Sequence, residues 1–291
     1  MGIDYDILFC FVDDFCKGFE PWYKRQLISD GLIRRNRPCR LKLSEILTML
    51  IAYHQSGMAF FKYFYLDLYG NSKGLFHELV HYDRFITLIK TAFPALVCLL
   101  KSLEGEKTEY MFIDSTPMAV CHNLRERKHK TFKGLAAKGK TSTGWFCGFK
   151  LHMIFNTKGE IIRLVITPGN INDRTPVVDM INGIMCKLLG DKGYLSQNLF
   201  NQLFDKGVKL ITKIRKNMKN CLMAMQDKLM LMKRSFIETI FSSLKCLNIL
   251  IHHRHRCPIN AFTHLFAGLV NYQLRPDKPS LHSLNNLISY P

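Results

Sequence analysis

GFKLHMIFNTKGEIIRLVIT, at residues 148–167, predicts a β-hairpin. Residues 148–155 alternate between apolar and polar side chains, which is the period of a half-buried strand, and residues 160–167 are rich in β-branched side chains. Thr157, Lys158 and Gly159 between them have the composition of a tight turn. We therefore expect two antiparallel strands that belong to a larger sheet.

Three further apolar runs extend this sheet. Residues 109–114 (EYMFID) precede the hairpin, residues 186–190 follow it and lead into Asp191, and residues 208–212 (VKLIT) come last. Helices are predicted between and after the later strands, at residues 175–184, 196–204 and 234–250. The order β-β-β-α-β-α-β-α predicts an α/β fold, with a mixed five-stranded sheet flanked by helices.

The first hundred residues have a helical pattern instead. The predicted helices are residues 7–19, 45–54, 58–68 and 84–100. Ser44 is expected to cap the second helix and Asp83 the fourth, and Pro94 predicts a kink or a break in the fourth. Ser56-Gly57 gives the outline of a helix-turn-helix, although an ordinary helical bundle fits the same pattern.

A change of pattern near residue 105 suggests the domain boundaries. We predict a helical N-terminal region at 1–104 that binds DNA, a catalytic domain at 105–275 and a C-terminal tail at 276–291.

The composition indicates a globular protein with a polyanionic partner. The 291 residues are 47% hydrophobic, which excludes wholesale disorder, and 41 Lys and Arg against 23 Asp and Glu give a net charge of +18. Nucleic acid is the leading candidate for that partner, and an anionic membrane surface is the weaker alternative. The basic residues concentrate in an N-terminal arm (Arg34, Arg35, Arg37, Arg40 and Lys42) and in a linker (Arg125, Arg127, Lys128, Lys130, Lys133, Lys138 and Lys140).

Other features favour a cytoplasmic protein. The ten cysteines form no Cys-x-x-Cys pair, which is typical of reduced thiols. The N-terminus lacks the basic lead of a signal peptide, and the longest clear apolar run, residues 93–100, stops at Lys101. We expect no membrane partner.

Three carboxylates are candidates for chemistry. Asp114 and Asp191 each follow an apolar strand, and Glu238 lies among apolar residues of a later helix. Because ligand sites in open α/β sheets gather at the carboxyl ends of strands, the three can converge. Converging carboxylates repel one another unless cations bind, and their oxygen atoms suit Mg²⁺ or Mn²⁺. Two such ions roughly 4 Å apart would support in-line phosphoryl transfer. The alternative for each residue alone is a solvated surface charge.

Cations accompany these carboxylates. Arg234 and Lys245 fall on the same helical face as Glu238, where they could grip phosphates on either side of a scissile bond. The alternative is an intrahelical Arg–Glu pair, worth a few tenths of a kcal/mol, with an unrelated lysine. Lys192, beside Asp191, is a further candidate for a phosphate contact.

Several residues leave two interpretations open. Trp145 and Phe146 could stack on a flipped base, but we favour core packing. Asp173 could be an extra carboxylate, but Asn172-Asp173 reads better as a helix cap. His122 and Asn123 fit a DNA or metal contact and a structural hydrogen-bonding role equally well.

Ten motifs along the chain form a combination that is specific as a set. They are VDDFC at 12–16, RPCRLKLSEI at 37–46, FIDSTP at 112–117, CHN at 121–123, HKTFKGLAAKGK at 129–140, GWFCGFKLH at 144–152, ITPGNINDR at 166–174, GDKGY at 190–194, LITKIRKNMKN at 210–220 and IETIFSSLK at 237–245. On these motifs the chain resembles bacterial insertion-sequence transposases of the Asp-Asp-Glu class, most closely insertion-sequence family nine-eight-two.

The resemblance implies a ribonuclease-H-like core in which Asp114, Asp191 and Glu238 bind metal. It also implies cutting and joining of double-stranded DNA at the ends of a mobile element, by a homodimer assembled on DNA in the bacterial cytoplasm. Arg234 and Lys245 match the Arg and Lys of a wider transposase signature, but Leu231 stands where that signature has Tyr. A nuclease that does not join strands, or an inactive DNA-binding copy, remains an alternative.

Overall fold

A computed structural model describes residues 4–35, 39–71, 76, 79–141, 144–214, 218, 222–247 and 255–281. Arg37, one of the predicted DNA contacts, lies outside these described residues. The chain divides into two compact units near residue 104, one built of helices and one of mixed α/β structure.

The elements follow one another along both units. The helices are α1 (Tyr5–Ser29), α2 (Leu43–Gln55), α3 (Phe61–Asn71), α4 (Tyr82–Ser102), α5 (Val177–Met180), α6 (Gln197–Phe204), α7 (Met225–Met232), α8 (Phe236–Cys246) and α9 (Pro258–Leu274). The strands are β1 (Tyr110–Cys121), β2 (Ala137–Thr141), β3 (Gly144–Asn156), β4 (Ile161–Pro168), β5 (Lys187–Gly190) and β6 (Lys209–Thr212). Short 3₁₀ helices occupy Asn123–Lys128, Lys192–Tyr194 and Lys233–Ser235.

The helical unit consists of α1 to α4 together with α9. Helix α1 continues past Gly18, where the sequence predicts its end, because Cys16 and Phe19 extend the buried stripe begun by Leu8 and Val12. Ser44 is buried and is not the cap of α2; instead the Glu45 carboxylate accepts a hydrogen bond from the Lys42 backbone N–H at 2.7 Å. The helix α4 begins after His81, so Asp83 lies inside its first turn and is not its cap.

Helix α9 packs in the helical unit, whereas the sequence assigns it to the catalytic domain. It contacts α4 and α2. The Asn260 side chain donates to the Ile86 carbonyl at 3.2 Å, and the Gln273 side chain donates to the Leu103 carbonyl at 2.7 Å. Apolar residues of α9 such as Leu269 are buried there. The local sequence predicts that such residues are buried, but not which of the two units they pack in.

Helix α4 is long and apolar enough to cross a membrane by length and composition alone, with a mean hydropathy of 1.6 over its best window. The sequence missed this because Pro94 and scattered polar residues interrupt its apolar run. In the structure α4 is a core helix: Phe85, Ile89 and Leu96 are fully buried, and α9 and α2 pack against it. Its hydropathy is therefore weak support for a membrane contact.

The second unit is built on a six-stranded mixed sheet in the order β2-β3-β1-β5-β6, with β4 also paired to β3. Strands β1 to β4 pair antiparallel around β3, and β5 and β6 join β1 in parallel. The predicted hairpin is β3–β4, and Gly159 in its turn has a φ of +75°, a left-handed conformation that favours glycine.

The sheet has one strand more than the sequence predicts, and β1 is longer. β1 runs on to Cys121 beside β3, and β2 pairs with the first residues of β3. Pro117 and the lack of alternation hid this extension. Gly148 permits the close approach of the two strands, because a Cβ atom there would lie 2.1 Å from the Met118 carbonyl oxygen. Asp114 therefore lies inside β1 and not at its end.

Helices cover both faces of the sheet. On one face, α5 and α6 bury residues such as Val177 and Leu199 against Met111 and Ile113 of β1. Helix α5 is shorter than predicted and begins after Pro176. On the other face, the Phe112 ring packs edge-to-face on Phe236 of α8, with ring centroids 4.8 Å apart. Because side chains alternate along a strand, Asp114 lies on the α8 face with Phe112.

An ion network around the buried Asp227 joins α7 to the sheet. Asp227 has a side chain that is 1% exposed, and it accepts hydrogen bonds from Tyr110 Oη at 2.7 Å and Lys209 Nζ at 2.8 Å. Lys187 Nζ lies 3.2 Å from the same carboxylate. Burial raises the pKa of Asp227, but hydrogen bonds from Lys209, Tyr110 and Lys187 outweigh it and hold that pKa at about 2.

We expect Asp227→Asn to lower the free energy of unfolding by about 1–3 kcal/mol at neutral pH, because two lysines lose a buried charged partner. The lowered pKa means that the carboxylate stabilises the fold above about pH 4, and that this contribution is lost as the pH falls through about 2. Denaturant titrations between pH 7 and pH 2 measure both effects.

Asp205→Asn is the matched control, since Asp205 is exposed at the end of α6. Equal stability of the two variants, with the same loss towards acid pH, would show that the network does not stabilise the fold.

Candidate functional site

The parallel register of β1 and β5 brings Asp114 level with Asp191. Met111 pairs with Leu188 and Phe112 with Leu189. Two positions beyond this last pair are Asp114, which lies within β1, and Asp191, which directly follows the end of β5. The predicted convergence of these two residues is thus a consequence of strand pairing, although β1 itself continues beyond Asp114 with β3 as its partner.

Arg234 bridges the two aspartates. Its Nη2 lies 2.7 Å from Asp114 Oδ2, and its Nη1 lies 3.9 Å from Asp191 Oδ1. The Arg234 side chain is only 12% exposed, whereas that of Asp191 is 55% exposed. Sequence reasoning placed Arg234 near the site as a phosphate contact but did not foresee this pairing with both carboxylates.

The electrostatics of Asp114 are dominated by its burial. Burial raises its pKa to about 6, against the lowering effects of Arg234 and of the Ser115 backbone N–H, which donates to Asp114 Oδ1 at 2.8 Å. The charges of Asp191 and Asp173 raise that pKa further. A single arginine therefore does not neutralise this group of carboxylates fully.

The residues present fit a divalent cation. Mg²⁺ is usually held by one or two carboxylates, with water and substrate phosphates completing its shell. Asp114 and Asp191 supply two such carboxylates, and the raised pKa of Asp114 indicates that additional positive charge would be favourable. Among the described residues, no group of three or more His, Cys, Asp or Glu side chains is placed to hold a metal ion.

Glu238 is exposed on α8, one position after the buried Phe236 and Ile237. These apolar neighbours are buried and Glu238 is not, so its environment agrees with the alternative left open by the sequence, a solvated surface charge. Arg234 lies in the 3₁₀ turn Lys233–Ser235, before the α-helix that carries Glu238 and Lys245. The three residues are therefore not on one continuous α-helix. The role of Glu238 as third carboxylate stays a prediction.

The predicted DNA contacts on the surface are accessible. Lys192 lies in the 3₁₀ helix that follows Asp191, and Lys245 lies in the last turn of α8. Apart from Arg234, the other described members of the predicted set are also exposed: Arg34, Arg35, Arg40, Arg125, Arg127, Lys128, Lys130 and Lys133. A 3₁₀ helix, Asn123–Lys128, presents three of them together.

Asp173 is not a helix cap, because the following helix α5 begins only after Pro176. Its carboxylate lies 3.0 Å from Lys150 Nζ, and its charge contributes to the raised pKa of Asp114. The less favoured interpretation, an additional carboxylate near the site, agrees better with these contacts. The sequence signal was the position of Asp173 shortly after β4.

Trp145 and Phe146 have opposite environments. Phe146 is buried, as predicted, but Trp145 is 55% exposed and does not pack in the core. The neighbouring His122 and Asn123 make structural hydrogen bonds: His122 Nδ1 accepts from the Leu124 backbone N–H at 3.4 Å, and Asn123 Nδ2 donates to the Trp145 carbonyl at 2.5 Å.

The family model for "Transposase DDE domain" matches residues 104–258, more than half of the chain. The chain belongs to the transposase DDE domain family. The match begins where the α/β unit begins and includes Asp114, Asp191 and Glu238. The fold of this DDE domain, a mixed six-stranded sheet between helices, positions the first two of these residues side by side.

No curated protein matches the sequence. A solved structure, the "piggyBac transposase synaptic complex with hairpin DNA", is similar with a TM-score of 0.46 and 10% sequence identity, over 84% of this chain and 69% of that one.

We expect an aspartate carboxyl that titrates near pH 6 in the metal-free protein, because of the raised pKa of Asp114. Arg234→Gln should raise this pKa further, since it removes the cation that favours the charged carboxylate. Carbon-detected NMR titration of protein labelled at aspartate carboxyls measures both values.

Asp114→Asn identifies the resonance, which must vanish in that variant. An Asp114 carboxyl that titrates near pH 4, or one that does not respond to Arg234→Gln, would contradict this account of the site.

Proposed function

We propose that this protein is a DNA transposase that cuts phosphodiester bonds at the ends of an insertion sequence and joins the freed 3′-hydroxyl to target DNA. The observation that carries the proposal is the position of Asp114 beside Asp191, with Arg234 near both carboxylates, in a DDE domain. We further propose that the domain is ribonuclease-H-like and that the protein is a member of insertion-sequence family nine-eight-two, acting in the bacterial cytoplasm on a chromosome or plasmid.

Asp114 and Asp191 would hold Mg²⁺ or Mn²⁺, with Glu238 as the third carboxylate that the resemblance implies. Two ions, when bound, would supply the positive charge that stabilises the attacking and leaving oxygens of phosphoryl transfer. The exposure of Asp191 supports this role, because substrate phosphates can approach it from solvent. Glu238 is likewise exposed and can be reached by DNA.

Arg234 would serve the free protein as a counter-ion for the two aspartates. Without it, two carboxylates side by side would repel each other and destabilise the site. When further cations and phosphates enter, its guanidinium can donate to phosphate oxygens, for which its planar geometry is suited. Lys192 and Lys245 would contact the DNA backbone nearby.

Double-stranded DNA is the proposed partner, bound at both element ends and at the target. The net charge of +18 and the exposure of the basic residues support this, because phosphate neutralisation dominates the affinity of proteins for DNA. We propose a homodimer on DNA, since joining two element ends to a target requires that they be held together.

A duplex carrying the flanking element end tests the function directly. With Mg²⁺, we expect the native protein to cut at the end and to join the 3′-hydroxyl to a second duplex. Asp114→Asn, Asp191→Asn and Glu238→Gln should each reduce both products by at least a hundredfold, because each removes a metal-binding charge. DNA affinity should change little.

Asp205→Asn serves as the control, since it removes an exposed charge elsewhere in the domain. Cutting without joining would favour a nuclease of the same fold. Binding without cutting in Mg²⁺ or Mn²⁺ would leave an inactive DNA-binding copy. Full activity of Glu238→Gln alone would remove Glu238 from the site while the aspartate pair stands.

The salt dependence of binding tests the basic surface. Neutralising Arg125, Arg127 and Lys128 to glutamine should lower the slope of log affinity against log salt by about 3, because each phosphate contact contributes roughly 0.9. Filter-binding or fluorescence titrations over a range of salt concentrations measure it.

The matched control neutralises three other exposed lysines, Lys90, Lys101 and Lys107. If this control lowers the slope as much as the first variant, the effect is one of net charge and the 3₁₀ helix does not touch DNA.

A further inference from the structure

The indole ring of Trp145 is exposed and lies next to two lysine side chains. Trp145 lies near the start of β3, directly opposite Lys140 of β2. The Nζ atoms of Lys138 and Lys140 lie 5.3 and 5.6 Å from the centroid of the indole ring. The Trp145 backbone is held by Asn123, whose side-chain amide donates a hydrogen bond to the Trp145 carbonyl. A large aromatic surface is thus exposed to solvent beside two lysine ammonium groups.

This ring lines a groove of about 480 Å³ in the α/β unit. That volume lies within the range of roughly 300–1,000 Å³ that is typical of sites for small ligands. The charged residues of the groove are Lys138, Lys140, Lys150, Arg174 and Asp173. Asp173 is already paired with Lys150 at 3.0 Å, so the groove carries an excess of positive charge.

The groove adjoins the aspartate pair. Arg174, in the wall of the groove, donates from Nε to the Gly193 carbonyl at 2.7 Å. Gly193 lines the groove as well and is two residues from Asp191. Asp173 lies close enough to Asp114 to affect it electrostatically. A nucleotide in this groove would therefore be a near neighbour of a phosphodiester at the aspartates.

We propose that the groove holds one unpaired nucleotide of the DNA strand beside the scissile phosphodiester, with its base stacked on Trp145 and its phosphates on Lys138 and Lys140. This inference rests on the proposed function. An aromatic platform flanked by cations is the chemistry by which proteins bind single-stranded nucleic acid. A paired base presents only its edge, so the ring can stack on it only after it leaves the duplex stack.

The two tryptophans of the chain make this measurable. Trp22→Phe leaves Trp145 as the sole tryptophan, and its fluorescence reports on stacking directly. In EDTA, so that no cutting is needed, we expect strong quenching by an octathymidylate or by a duplex with one unpaired thymine. A fully paired duplex of the same length should quench it several-fold less.

Binding of the same probes separates stacking from charge. Trp145→Ala should weaken the affinity for the unpaired probes about tenfold or more and leave the affinity for the paired duplex unchanged, as expected for the loss of one stacked base. Trp145→Phe should retain most of the affinity. Replacing Lys138 and Lys140 with glutamine should weaken both kinds of probe, since phosphates are common to them.

Equal quenching by paired and unpaired probes, or equal affinities of Trp145→Ala and the native protein for an unpaired probe, would overturn the proposal. Since Trp145 is exposed, circular dichroism should show Trp145→Ala folded, and Trp145→Phe provides a second test if it is not. The two proposals can fail separately. Quenching without any cutting in Mg²⁺ would support nucleotide binding in the groove and contradict the transposase activity. Cutting without quenching would support the activity and contradict nucleotide binding in the groove.

Discussion

The parallel pairing of β1 with β5 is the constraint on which the site depends. Three residue pairs, from Tyr110 with Lys187 to Phe112 with Leu189, set the register. A shift by one residue would turn Asp114 to the opposite face of the sheet, because side chains alternate along a strand. The buried residues of both strands resist that shift, since Met111 and Leu188 belong to one core cluster. The core thereby holds two like charges together.

Arg234 reduces the repulsion between the two aspartates in the free protein. Strand pairing fixes the two aspartates, burial raises the pKa of one of them, and the guanidinium offsets part of their repulsion. The same face of the sheet is covered by α8 through contacts such as Phe112 with Phe236, which holds the chain segment that carries Arg234 near the aspartates. Packing and electrostatics at this site therefore depend on the same few elements.

Local patterns predicted the sheet well where the pattern was strong. The β3–β4 hairpin and the strands leading to Asp191 and Thr212 follow from the apolar pattern and the turn composition. The proximity of Asp114 and Asp191 was expected from the rule that such residues gather at strand ends. Only Asp191 follows a strand end, and the parallel register of β1 with β5 places Asp114 beside it. Long-range contacts were not predictable in this way. The added strand β2, the exposure of Trp145 and the packing of α9 all depend on partners distant in sequence.

The outer edge of β3 has a consequence for how copies of this chain behave together. That edge is covered by two short strands, β2 and β4, placed one after the other, so β2 presents only five residues at the margin of the sheet. Exposed sheet margins recruit strands from other molecules, and lysines on a short strand oppose this. Lys138 and Lys140 are exposed on β2. The two lysines proposed to contact DNA therefore also oppose edge-to-edge pairing with a neighbouring molecule, so solubility and the proposed affinity for nucleic acid depend on the same two side chains.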